Sequence, residues 1–142
     1  MIQVKHLLQE KGDQVYSIAP EQSVIDAIRM MADYTIGALL VISNGNLVGV
    51  VTERDYARKV ALMGRSSSET KVADIVPATF VSVVPDDSVD RCMRLCTKER
   101  VRHLPVLDNG RIVGVLSIGD LVKAVIDQQA EQLEHLQRYI NG

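Results

Sequence analysis

The chain repeats itself at a fixed offset of 65 residues. Sliding it by that distance lays Pro20 on Pro85, Ser23 on Ser88 and Val24 on Val89. Further along, Asn44-Gly45 falls on Asn109-Gly110, Gly49 on Gly114 and Asp55 on Asp120, with no gap between the anchors. A repeat constrains architecture more than any single motif, because both copies must fold into one supersecondary unit.

Each copy reads β-α-β-β-α. A short stretch rich in β-branched residues, Val15-Tyr16-Ser17-Ile18 or Phe80-Val81-Ser82-Val83, ends at Pro20 or Pro85. Ser23 with Asp26 resembles a capping box. Ala27, Ile28, Met31 and Ala32 then recur at helical spacing, matched by Cys92, Met93, Cys96 and Thr97. The apolar runs 38–42 and 104–107 lead into Asn44-Gly45 and Asn109-Gly110, a strong hairpin signal because both residues tolerate positive φ. Strands over 47–51 and 112–116 follow. Thr52-Glu53-Arg54-Asp55 and Ser117-Ile118-Gly119-Asp120 then open another helix.

Neither half buries its sheet alone, so the fold class is α+β, two pseudo-symmetric units packed through their sheets. The first unit is placed at 1–64, a polar linker at 65–71, the second unit at 72–126 and a tail at 127–142. Segments 4–8 and 72–76 form a matching helical turn before each unit. In the tail, Ile126, Ala130, Leu133 and Ile140 stand at near-heptad spacing and predict one more, C-terminal helix.

Composition narrows the function. Hydrophobic residues make up 46% of the chain and aromatics only 4%, so the core is aliphatic. A net charge of −2 argues against broad nucleic-acid binding, which needs a basic surface. No apolar run approaches the ~20 residues of a membrane helix. The N-terminus lacks the long apolar core of a secretory signal, leaving the cytoplasm as the default compartment.

These residues resemble the cystathionine-β-synthase (CBS) domain in its tandem form, the Bateman module. The matching text is Ile36-Gly37-Ala38-Leu39 with 47–55, and 101–106 with 112–120. One G-h-h-[ST]-x-x-D string is weak; two at a fixed offset, each behind an Asn-Gly hairpin, are strong. The resemblance covers nearly the whole chain and implies a stand-alone regulatory module acting in signal transduction rather than an enzyme. It implies a pseudo-twofold disc whose clefts between the two units bind AMP, ADP or ATP, or in some members NAD-type dinucleotides or S-adenosylmethionine. No cofactor is required, and a homodimer is the family expectation. The alternative is a structural or interaction protein with vestigial clefts, working through a protein partner.

The resemblance assigns residues. A carboxylate at a helix start can accept both ribose hydroxyls, and Asp55 and Asp120 are the candidates; the plainer reading is an acidic residue favouring the helix dipole. Thr52 and Ser117 can cap the helix or bind phosphate. Arg102 and His103 sit where the family places phosphate-binding side chains. Copy one has Gly37 and Ala38 there, so the two sites should be unequal, with Arg54 as partial compensation. The adenine slot falls to Ile18, Ile36, Gly37, Val83, Val101 and Val115, which also read as ordinary core.

Other features read as structural. Cys92 and Cys96 are one helical turn apart where copy one has Ala27 and Met31, so they read as core rather than metal ligands. Arg54, Arg58, Lys59 and Arg65 read as a solvated helix face. No nucleophile–histidine–carboxylate set stands out.

Overall fold

The computed structural model describes residues 1–141. The elements are α1 (Val4–Lys11), β1 (Ser17–Ile18), α2 (Val24–Tyr34), β2 (Ala38–Ser43), β3 (Asn46–Thr52), α3 (Glu53–Tyr56), α4 (Val89–Glu99), β4 (His103–Asp108), β5 (Arg111–Ser117) and α5 (Ile118–Asn141). A π-helical turn, Ala57–Ala61, continues α3, and a 3₁₀ turn spans Val72–Asp74.

Two compact units result, and they divide the chain differently from the contiguous spans 1–64 and 72–126. A continuous unit comprises Val15–Phe80; an interleaved unit joins Met1–Gln14 to Val81–Gly142. The two pre-unit segments explain this. In the continuous unit, the amides of Val72 and Ala73 donate to the carbonyls of Gln22 and Pro20 at 2.9 Å each, and Val24 N–H donates to Thr70 at 2.8 Å. In the interleaved unit, Val4 and Lys5 donate to Asp87 and Pro85 at 2.9 Å each, and Val89 donates to Ile2 at 3.0 Å. These bonds correspond one for one. Each docked segment then crosses a strand glycine. A Cβ on Gly49 would stand 2.6 Å from Val76 Cγ2, and one on Gly114 2.6 Å from Leu8 Cδ2. The glycine of each signature is therefore the notch that admits its helical turn.

The stretch read as a linker is also built into the continuous unit. Ile25 N–H donates to Ser67 at 2.9 Å, Tyr56 Oη meets Ser67 Oγ at 3.2 Å, and Thr70 is buried.

The continuous unit's sheet runs β1-β2-β3, with β1 parallel to β2 and β2 antiparallel to β3; the other unit pairs β4 with β5. Both hairpins turn as expected, Asn44 and Gly45 at φ 52 and 79, Asn109 and Gly110 at 52 and 81. The first strand of copy two does not survive. Around 80–83 only an isolated bridge forms, Val83 with Val106. In copy one the Leu40 amide donates to Tyr16 at 3.1 Å. Its counterpart is Pro105, which has no N–H to give.

Each unit has its own aliphatic core. Ile18, Val24, Ala27, Met31, Leu39, Val41 and Val51 build one with Val72 and Ile75. Val4 and Leu7 join Val89, Cys92, Cys96, Leu104, Val106 and Leu116 in the other. The predicted C-terminal helix is not a separate element: α5 runs unbroken from Ile118 through the tail, whose last residue, Gly142, lies outside the described residues.

Candidate functional site

Both signatures fold into the same local device. In copy one Thr52 N–H donates to Asp55 Oδ2 at 2.9 Å, Thr52 Oγ1 donates to the same oxygen at 3.1 Å, and Asp55 N–H donates back to Thr52 Oγ1 at 3.2 Å. In copy two Ser117 N–H donates to Asp120 Oδ2 at 2.7 Å, and Asp120 N–H donates to Ser117 Oγ at 3.2 Å. These are reciprocal capping pairs, so the capping reading of Thr52 and Ser117 holds. The three bonds that the carboxylates accept within these pairs all fall on Oδ2, and an ionised carboxylate has further acceptor capacity.

The hairpin brings further candidates to the same place. His103 lies directly opposite Ser117 across β4 and β5. Ile118 N–H donates to the Arg102 carbonyl at 2.8 Å, which fixes Arg102 beside the start of α5 with its side chain exposed. The corresponding bond in copy one, Glu53 N–H to the Gly37 carbonyl at 3.0 Å, holds a residue without a side chain. Arg102, His103, Ser117 and Asp120 thus gather at one end of one hairpin. Thr52 and Asp55 have only Gly37 and Ala38 in those places, with Arg54 exposed on α3.

Sequence reasoning missed Lys11. Its ammonium donates to Asp120 Oδ2 at 2.7 Å and to the Val115 carbonyl at 2.7 Å. Burial pushes the Asp120 carboxyl up, but the Lys11 hydrogen bond, the Ser117 amide and the Lys11 charge outweigh it and hold the group below its ordinary value. The cause of this asymmetry is local. Pro77 follows the 3₁₀ turn of the continuous unit, whereas Gln9-Glu10-Lys11 extends α1 until Gly12 ends it at φ 95. That additional helix delivers Lys11. In copy one the nearest lysine is Lys59, four residues after Asp55: it lies 3.8 Å from Asp55 Oδ1 and donates to the Ile75 carbonyl at 2.8 Å. Lys59 is therefore tied inward rather than merely solvated.

The adenine candidates divide. Ile18 and Val83 are core residues, 3% and 2% exposed. Ile36 and Val101 pack against those cores from partly buried positions. Gly37 and Val115 are half-buried next to the signatures. Cys92 and Cys96 are buried in the core, and among the described residues no group of three or more His, Cys, Asp or Glu side chains is placed to hold a metal. No helix among the described residues is long and apolar enough to cross a membrane.

The model of the CBS domain matches the chain twice, over residues 5–62 and 72–127. The chain belongs to the CBS-domain family. It is a tandem CBS pair, and each match includes one capped Ser/Thr–Asp signature. The crystal structure of the CBS domain NE2398 is 49% identical, with a TM-score of 0.85 over 88% of this chain and 98% of that one. A Burkholderia ambifaria structure named for signal transduction and CBS domains is 48% identical, with a TM-score of 0.87 over 90% and 96%. The mitochondrial CBS domain-containing protein CBSX3 of Arabidopsis thaliana is 42% identical over 127 residues, 86% of this chain. The chain spans 62% of that relative's length.

Proposed function

We propose that this CBS pair is a regulatory module that binds adenine nucleotides, AMP, ADP or ATP, or a related adenosyl ligand such as NAD or S-adenosylmethionine, and transmits occupancy rather than catalysing a reaction. The observation that carries this reading is the gathering of Arg102, His103, Ser117 and Asp120 at the end of the β4–β5 hairpin. An Asp carboxylate at a helix start can accept the paired hydroxyls of a ribose. A helix N-terminus with a hydroxyl beside it suits an anion. Arg102 adds a guanidinium fork fitted to phosphate. The copy-one signature, with Gly37 and Ala38, is the weaker phosphate site. Occupancy can bias the module only if the ligand prefers one of its conformations. We place this activity in the cytoplasm and in a homodimer. The name of the Burkholderia relative supports a signalling role.

A thermal-shift panel with AMP, ADP, ATP, NAD and S-adenosylmethionine tests the reading. At a ligand concentration ~100-fold above Kd, stabilisation approaches ~2.7 kcal/mol. Asp120→Asn keeps an acceptor for the Ser117 amide but loses charge and one carboxylate oxygen, so it should bind more weakly while remaining folded. Silence across the whole panel would sink the nucleotide reading and favour a module that works through protein contacts, as the exposed apolar residues of α5 also suggest.

A further inference from the structure

Helix α5 has two apolar faces. Leu121, Ala124 and Val125 pack into the core of the interleaved unit. Val122, Ile126, Leu133, Leu136 and Ile140 form the other, and they are 40, 57, 57, 53 and 71% exposed. With Gln129 between Ile126 and Leu133, this second face advances in strict alternation of four and three residues, the a/d period of a coiled coil. The CBS match ends at residue 127, so most of the stripe lies beyond the repeat. From Ile126 to Ile140 it extends about 21 Å.

We infer that this face pairs with the same face of a second copy of the chain as a parallel, two-stranded coiled coil. Ile126, Leu133 and Ile140 take the a positions, and Val122, Gln129 and Leu136 take d; Ile at a in two layers and Leu136 at d are the choices that favour two strands. The flanks admit an identical partner. Beyond Ile126 the positions beside the seam are Ala130, Gln132, Gln137 and Tyr139, all uncharged, so two copies approach without repulsion. Asp127, Glu131, Glu134 and Arg138 fall on the outer side, where Arg138 donates to Glu134 of the same helix at 2.6 Å. Residues 127–141 hold three acidic and one basic side chain, the wrong balance for an anionic lipid surface. Gln129 faces its own copy at a d layer, where the two side-chain amides can pair with each other.

This inference rests on the homodimer proposed above and names its surface. Sedimentation equilibrium on the full chain tests it, with Leu133→Glu as the variant. Leu133 is exposed and Glu is a good helix former, so circular dichroism should be unchanged. The wild type should be a dimer, and the variant's dissociation constant should rise about 30-fold, as for a central interface anchor. Leu136→Cys should oxidise to a disulfide-linked dimer, because d faces d in a parallel pair. A dimer whose affinity Leu133→Glu leaves unchanged overturns the α5 surface while the homodimer stands. A wild type that is monomeric throughout overturns both. A dimer weakened by Leu133→Glu in which Leu136→Cys does not cross-link overturns the parallel arrangement. Monomers that instead bind phosphatidylcholine vesicles through the stripe overturn the second copy as its occupant.

Discussion

Lys11 and Asp120 are separated by 109 residues of sequence and 2.7 Å of space. The lysine sits at the end of α1, and the aspartate is the carboxylate we assign to ribose recognition. Lys11→Met should therefore raise the Asp120 pKa toward the ordinary carboxyl value of 3.8, read by the carboxyl carbon shift in an NMR titration. An Asp120 that titrates identically in the variant would show that the ion pair is not formed in solution.

The same pair sets a pH dependence. A carboxyl whose folded pKa is depressed stabilises the fold above its unfolded pKa and loses that contribution as pH falls through the folded value. Both partners are partly exposed, so the contribution at neutral pH is about 0.5–1 kcal/mol. Urea denaturation should show Lys11→Met less stable than wild type at pH 7, with the gap closing once Asp120 is protonated. A gap that persists in acid would point to lost packing instead of lost charge.

The two notch glycines should respond unequally to alanine. At Gly49 the new methyl meets Val76 Cγ2, on a stiff β-branched side chain, with the Pro77 carbonyl 3.5 Å away. At Gly114 it meets the end of the Leu8 side chain, which can rotate aside. Gly49→Ala should cost about 1–3 kcal/mol and Gly114→Ala clearly less. Equal midpoints in denaturant would contradict the close approach at Gly49.

Arg102→Ala should separate phosphate from nucleoside recognition. The side chain is exposed and its carbonyl, not its guanidinium, holds the start of α5, so the fold should be kept. Loss of a charge-assisted contact should weaken ADP about 10-fold and leave adenosine nearly unchanged by calorimetry. Equal losses for both ligands would remove Arg102 from the phosphate role.

Cys92 should be inert in the folded protein. Burial pushes its thiol up to about 11, helped by the nearby Asp87 carboxylate. Alkylation by iodoacetamide at pH 7 should then proceed only through unfolding and accelerate in denaturant. Rapid labelling of Cys92 under native conditions would contradict its burial.

Much of this was readable from local chemistry. Asn44-Gly45 and Asn109-Gly110 announce their turns because few other pairs accept two positive φ angles in a row. Thr52 with Asp55 and Ser117 with Asp120 announce helix starts at a spacing that only a cap requires. What stayed hidden depends on distant groups or missing ones. The strand at 80–83 is lost through the absent amide of Pro105, which lies in another strand. Lys11 is reached only by knowing where α1 docks. Its one trace in the sequence is that the pre-unit segments match at an offset of 68, not 65, and that only the second meets a proline soon afterwards. The tail gave its apolar period but not its continuity with α5, since nothing near residue 127 marks a helix as ending or continuing.

The interleaving of the chain also orders its assembly. Residues 15–80 hold every segment of one unit in a single continuous stretch, so that unit can close as soon as it has been synthesised. The first fourteen residues cannot be placed until 81 and beyond arrive, because Val4 and Lys5 bond to Asp87 and Pro85 and Lys11 waits for Asp120. Helix α1 precedes the continuous unit in the chain yet is incorporated after it, and a cut between the two sequence repeats would leave α1 on one fragment and the surface that holds it on the other.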